Sequence, residues 1–414
     1  MTAKLFDMTA RLDTDLILSA TPTQRVLHIH LRAPQAQARQ QRTPLNLALV
    51  IDRSGSMSGE KLAYVRQAAL HVLDLLDERD RAALVTYDDQ VSLLCPSVET
   101  SPASKTLLRN MVQEIRSGGM TNLSGGWLEG CQQIAVQLNG GQSVARCLLL
   151  TDGLANVGIT HDEELQFHAR QLHQRGVATS TFGVGQGFNE HLLEGMANQG
   201  GGQFYFIEHP RDIPQIFARE MGELTTITAR GLEITISLPE QTSAEVLGGW
   251  QHDQQAARLT IRLGDLPATA ERDVFVRLLT PPQAAGSERL TLGVGAAAQG
   301  EDQASLTAAQ TLELRYAPDE AVRAAALDET VMKAYARVEV ADRATHALRL
   351  ERMGRRDEAS ASLDAALQMA APFFEEKDLE EYRSLSEKMK GGLDEAERKL
   401  NHYSNYRRKQ SRGE

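Results

Sequence analysis

The pattern of apolar and polar positions divides the chain into four stretches. Residues 1–43 read as two short strands and a polar connection. In the segment 25–32, Leu27, Ile29 and Leu31 alternate with Val26, His28 and His30, the period-two signature of a half-buried strand. The pattern changes at Leu45. The run Leu45-Asn-Leu-Ala-Leu-Val-Ile51 is nearly continuously apolar, as expected of a strand covered on both faces. From there to residue 224, helical and strand patterns alternate. Leu62, Val65, Ala69, Val72, Leu73 and Leu76 recur at helical spacing. Strands are predicted at 81–87, 146–151, 177–184 and 203–207, with helices at 107–115, 126–138, 162–175, 192–197 and 213–224. Such alternation predicts an α/β unit with a doubly wound, mostly parallel sheet.

Residues 225–317 return to period two. Leu232, Ile234, Ile236 and Leu238 alternate with polar residues, and further short runs lie at 258–263, 273–279, 289–294 and 311–316. Turn signals such as Pro281-Pro282 and Gly248-Gly249 punctuate them. Several short strands at this spacing suggest a β-sandwich. The strands of 1–43 have no partners of their own, and a lone hairpin is marginal in water. The two strand regions are therefore expected to share one sandwich, with the 44–224 unit inserted between them. Residues 318–414 are rich in Ala, Glu and Arg and read as helical. Gly354 ends the first long helix, and 375–402 is expected to be another. Residues 347–367 resemble a single tetratricopeptide-type helix pair. The basic tail from Tyr406 onwards is expected to fray.

Composition narrows the class. The chain has 414 residues, 42% hydrophobic and 24% charged, which suits two to four soluble domains at roughly 100–200 residues each. The net charge of −11 argues against nucleic acid as a partner. No apolar run approaches the ~18 residues of a membrane span, and the N-terminal residues lack the apolar core of a secretion signal. The three cysteines, Cys95, Cys131 and Cys147, have neither zinc-ligand nor disulfide spacing and read as buried thiols. A cytoplasmic protein is expected.

The chemistry gathers at strand ends. The first buried strand runs into Asp52-Arg53-Ser54-Gly55-Ser56, a carboxylate and two hydroxyls at i, i+2 and i+4. Open α/β sheets bind ligands at the carboxyl ends of their strands, and these hard oxygens suit a small divalent cation such as Mg²⁺. Gly118-Gly119-Met120-Thr121-Asn122 presents another hydroxyl just before a helix, and Thr151-Asp152-Gly153 ends a central strand with a second carboxylate. Asp88 and Asp89 follow the second strand and read as a solvated turn. His28 and His30 share one strand face, read as a polar face of the sandwich. Phosphate-loop, dinucleotide, nucleophile-elbow and zinc-protease motifs are absent or wrongly spaced.

Together, D-x-S-x-S, G-G-x-T-N and T-D-G resemble the von Willebrand factor type A domain and its metal-ion-dependent adhesion site. Phe182-Gly-Val-Gly185 and Gly201-Gly202-Gln203-Phe-Tyr-Phe206 extend the likeness over about 44–224. The resemblance implies a bacterial intracellular type of this domain. Asp52, Ser54, Ser56, Thr121 and Asp152 would then be the metal-site residues, holding Mg²⁺, with Mn²⁺ or Ca²⁺ as alternatives. It further implies a non-enzymatic, divalent-cation-dependent module in which the metal recruits an Asp or Glu side chain of a partner protein. The alternative it implies is an adaptor of an AAA+ ATPase of the MoxR type. Met120 departs from the small residue common in the family and would shape the rim.

Overall fold

The structure is a computed structural model that describes residues 7–33, 42–138, 143–284, 287–300 and 305–410. It divides into two compact units, one of residues 36–227 and one made of 1–35 together with 228–414. Strands β1 (Asp7–Leu12), β2 (Leu16–Leu18) and β3 (Thr23–Arg32) open the discontinuous unit.

The continuous unit is a six-stranded sheet between helices. Its strands are β4 (Leu45–Asp52), β5 (Arg81–Tyr87), β6 (Val91–Glu99), β7 (Val144–Thr151), β8 (Ala178–Val184) and β9 (Gly201–Ile207). They lie in the order β6-β5-β4-β7-β8-β9. Every pair is parallel except β5–β6. The helices are α1 (Glu60–Leu75), α2 (Pro102–Glu114), α3 (Leu123–Ala135), α4 (Asp162–Gln174), α5 (Glu190–Gln199) and α6 (Ile213–Thr225). All eight residues of β4 are buried, which is why its sequence is an unbroken apolar run. Leu45, Leu47, Leu49 and Ile51 share a core with Leu62, Val65 and Val72 of α1 and Phe217 and Met221 of α6. Each such side chain contributes about 1.5–3 kcal/mol on burial. Ala48 and Val50 face α3, where a Cβ on Gly130 would lie 2.3 Å from Val50.

Sequence reasoning missed β6. It is the antiparallel edge strand, only partly covered and carrying Pro96. Proline is tolerated at an edge and obscures the pattern of a strand.

After the inserted unit come β10 (Ile227–Ser237), β11 (Ser243–Val246), β12 (Gln251–Gln255), β13 (Arg258–Pro267), β14 (Glu271–Thr280), β15 (Arg289–Gly300) and β16 (Ser305–Ala317). One sheet has the order β1-β3-β14-β11 and the other β12-β13-β10-β15-β16-β2. Leu27, Ile29 and Leu31 of β3 share a core with Ile234, Ile236 and Val294 of the facing sheet. The N-terminal strands thus belong to the same sandwich as the later ones. The short β11, half of it polar, and β12, polar at all five positions, were not foreseen.

Helices α7 (Asp319–Ala324), α8 (Glu329–Arg352), α9 (Arg356–Ala370), α10 (Glu376–Gly391) and α11 (Glu395–Lys409) complete this unit. Val331 and Val338 of α8 pack on Val26, Leu247 and Phe275, on the outer face of the four-stranded sheet. Arg277 of that sheet donates to Glu339 at 2.5 Å and to the Tyr335 hydroxyl at 3.1 Å. The single helix expected over 375–402 is two. Gly392 adopts φ +91°, a conformation that favours glycine, and Asp394 and Glu397 form a capping box that restarts the chain as α11. The tail does not fray where expected. Tyr406 is buried, and the helix holds as far as Lys409, where Gln410 donates to the Gly248 carbonyl.

Candidate metal centre

The sheet order places β4 beside β7 while the chain proceeds from β4 to β5 on the other side. The carboxyl ends of β4 and β7 therefore flank the point where strand order reverses, the usual crevice for ligands in such sheets. Asp52 ends β4 and Asp152 follows β7. The pairing of Ile51 with Leu150 brings the two loops side by side.

The Asp52 carboxylate is fully buried. Its Oδ1 accepts from the Ser54 backbone N–H at 2.8 Å and its Oδ2 from the Thr151 hydroxyl at 2.7 Å. Burial pushes its pKa up to about 6, against the pull of the Ser54 and Thr151 hydrogen bonds, and the nearby Asp152 charge adds to the rise. The Ser54 and Ser56 hydroxyl oxygens lie 3.1 Å apart, and Ser56 donates to Asp152 Oδ1 at 2.7 Å. Asp152 Oδ2 accepts from the Lys61 ammonium in the first turn of α1. This lysine offsets the charge of a carboxylate that has no exposure of its own.

Thr121 arrives on a different loop. Gly118 N–H donates to the Arg53 carbonyl at 2.6 Å, and Gly55 N–H to the Gly119 carbonyl at 3.0 Å. These two bonds stitch the Gly-Gly loop to the D-x-S-x-S loop. The Thr121 N–H donates to Asn156 Oδ1 at 3.0 Å. Asn122 caps α3 by accepting from Gly125 N–H at 3.0 Å, a contribution of about 1 kcal/mol. Thr121 is buried and Ser56 exposed. A Cβ added to Gly153 would lie 3.4 Å from Thr121 Oγ1 and 3.9 Å from Ser56 Oγ, so both hydroxyls border one small space. All five residues expected from sequence thus come to one place. Their atoms are hard oxygens only, a donor set that fits Mg²⁺, Mn²⁺ or Ca²⁺.

Lys61, Thr151 and Asn156 were missed. Thr151 lies inside the T-D-G motif, and its position was the available signal. Lys61 and Asn156 matter only through loop geometry. Asp88 is no solvated turn. It is buried, pairs with Arg53 Nη2 at 3.1 Å and accepts from Gly119 N–H. A Cβ on Gly118 would fall 1.9 Å from its Oδ2. Asp88 therefore organises the Gly-Gly loop, whereas Asp89 is exposed as expected. Met120 is 58% exposed at the rim. The three cysteines are free and buried; burial, reinforced by Cys131, pushes the Cys147 thiol pKa well up, which keeps it neutral and unreactive.

Comparison with known proteins agrees with this architecture. Two solved structures match along nearly the whole chain. A von Willebrand factor type A protein from Catenulispora acidiphila is 15% identical with a TM-score of 0.78, covering 98% of this chain and 97% of its own. The ArnB paralog VWA2 from Sulfolobus acidocaldarius is 18% identical with a TM-score of 0.68, covering 98% of each chain. At these identities the likeness is one of fold. Among curated sequences, an uncharacterized protein of Synechocystis is 26% identical over 65% of this chain and 66% of its own length. Inter-alpha-trypsin inhibitor heavy chain H3 of Rattus norvegicus is 32% identical over 42% of this chain. The chain spans less than two thirds of the length of these relatives, and only 20% of the latter. Among the described residues, no helix is long and apolar enough to cross a membrane. The family model for the von Willebrand factor type A domain matches residues 46–219, and with the fold described above this identifies the inserted unit as a domain of that family.

Proposed function

We propose that the inserted domain is a divalent-cation-dependent protein-binding module, not an enzyme. The observation that carries this reading is the convergence of Asp52, Ser54, Ser56, Thr121 and Asp152 at the strand-order reversal. A bound Mg²⁺ or Mn²⁺ would supply a Lewis-acidic position open to a carboxylate of a partner protein. The chain's own residues set how strong that demand is. Ser54, Ser56 and Thr121 are neutral donors. Of the two carboxylates, Asp152 is already offset by Lys61, and Asp52 is buried beneath the serine loop. The protein therefore satisfies little of a cation's charge, which leaves it receptive to an acidic side chain. With a net charge of −11, the chain offers an acidic partner no general attraction, so recognition would rest on the local cation.

Affinity capture on the full chain, with Mg²⁺ and then with a chelator, tests this. Proteins retained by the wild type should be released on chelation and by free glutamate-bearing peptide, and should never bind Asp52→Ala. A partner that stays bound through chelation and also binds Asp52→Ala would sink the proposal.

A further inference from the structure

The outer face of the four-stranded sheet carries a second convergence of ligating atoms. His28 and His30 are two residues apart on β3, so both rings stand on the same face. In the ladder between β3 and β14, His30 pairs with Asp273. His28 Nε2 lies 2.7 Å and His30 Nδ1 2.9 Å from the same Asp273 Oδ1, and the three ligand atoms all fall within 4.8 Å of one another. The His28 ring is stacked on Phe275, with centroids 4.6 Å apart and planes 7° apart, which fixes its direction. Phe275 is in turn held in the small core under α8. His28 is buried, whereas His30 and Asp273 keep an open edge. Burial tends to raise the Asp273 pKa, but the hydrogen bonds and proximity of both histidines overcome it and hold the carboxyl below its ordinary range.

We propose that His28, His30 and Asp273 form a metal site for a borderline divalent cation of the Zn²⁺ class. Two imidazole nitrogens and one carboxylate oxygen are the three protein ligands of an open zinc site, with water or another ligand completing the shell. The donor set differs from the all-oxygen set in the inserted domain, and nitrogen ligands select Zn²⁺ over Mg²⁺ or Ca²⁺. Each neutral imidazole can move its proton to the other ring nitrogen, freeing the lone pair that faces Asp273. The present separations of 2.7 and 2.9 Å need widen only by about half an ångström to surround an ion at bonds of about 2.0–2.2 Å. Around the cluster, Thr9 stands opposite His30 and Arg11 opposite His28 on β1. Arg11 is exposed and lies 3.9 Å from Asp328, so its charge is shared away from the site.

Zn²⁺ titration of the full chain in excess Mg²⁺ tests the proposal, read by calorimetry and by X-ray absorption at the zinc edge. The wild type should bind one equivalent through two imidazoles. Second-sphere losses at zinc sites cost about 10–100-fold in affinity, so losing a ligand outright in His30→Ala or Asp273→Asn should cost on the order of 100-fold. Asp52→Asn should bind Zn²⁺ as the wild type does. Both test positions have an exposed edge, and circular dichroism with thermal melts identifies any variant that has lost its fold; His30→Gln then replaces it. No Zn²⁺ uptake by the wild type in Mg²⁺, a signal without imidazole, or unchanged affinity in the folded variants would overturn the site and leave a hydrogen-bonded His-Asp-His cluster.

Discussion

Asp52→Asn should make the metal-free protein more stable while abolishing metal binding. The carboxylate is fully buried and its pKa stands at about 6 rather than 3.8, a difference that corresponds to about 3 kcal/mol favouring the neutral form. The sign follows from linkage. A group with a raised folded-state pKa contributes its stability below the unfolded value, near 3.8, and loses it as pH rises through about 6. At pH 7 the metal-free chain therefore carries a buried charge that costs it stability. Asparagine keeps the shape and an acceptor for Ser54 N–H, and removes that charge. In chelator, urea melts at pH 7 should place Asp52→Asn above the wild type by about 1–3 kcal/mol, and the gap should shrink toward pH 5. Mg²⁺ should raise the wild-type melting temperature, because a ligand that binds only the folded state stabilises it, and should not move the variant. Metal affinity of the wild type should weaken as pH falls below 6. A variant less stable than the wild type in chelator would contradict this account of the site.

Gly126→Ala should lower stability by about 2 kcal/mol, against the usual direction for glycine in a helix. In open surroundings the exchange gains up to about 1 kcal/mol. Here the added Cβ would sit 2.4 Å from Tyr87 Cδ1 and 2.8 Å from Tyr87 Cβ. The tyrosine cannot swing aside, because it is fully buried and its hydroxyl donates to the Leu150 carbonyl at 3.1 Å. Overpacking of a filled core costs about 1–3 kcal/mol. Gly130, one turn later, meets Val50 in the same way, so α3 rests on the sheet along a glycine seam. Lifting it would also move Thr121, two residues ahead of the helix, and weaken Mg²⁺ binding. Gly222→Ala in α6 is the contrast, since nothing lies within 4 Å of its new Cβ; it should stabilise by up to about 1 kcal/mol. Equal effects of the two substitutions in denaturant melts would refute the packing argument.

The order of elements was legible because buried parallel strands announce themselves. β4 has no exposed residue, and its apolar run needs no partner to be recognised. The five oxygen-bearing residues were legible for a related reason. Each sits at a strand end or a helix start, so local sequence fixes its place in the sheet. What escaped were features decided at a distance or at an edge. β6 is half exposed and carries a proline. Asp88 lies in a stretch that reads as a turn, and it is covered by Arg53 and by the Gly-Gly loop some thirty residues on. Lys61 sits in the first turn of a helix, and nothing local says that Asp152 will meet it. The break between α10 and α11 was readable, because Gly391-Gly392 precedes an Asp-x-x-Glu capping box; helical periodicity on both sides obscured it. The partnership of His28 with Asp273 spans 245 residues, beyond any local pattern.

That separation bears on how the chain assembles. The ten-residue ladder between β3 and β14 joins segments that an unfolded chain holds far apart. Closing a flexible loop of that length costs about 5 kcal/mol of chain entropy before any sandwich contact repays it. Collapse of the inserted domain, whose longest strand-to-strand separation is the roughly hundred residues between β4 and β7, shortens the free chain between the two halves. The insert is thus positioned to act as an internal folding template, with the sandwich closing last. Pulse-labelled hydrogen exchange during refolding should protect amides of β4 and β7 before those of β3 and β14. Truncations that spare the sandwich but cripple the inserted domain should then delay the whole protein.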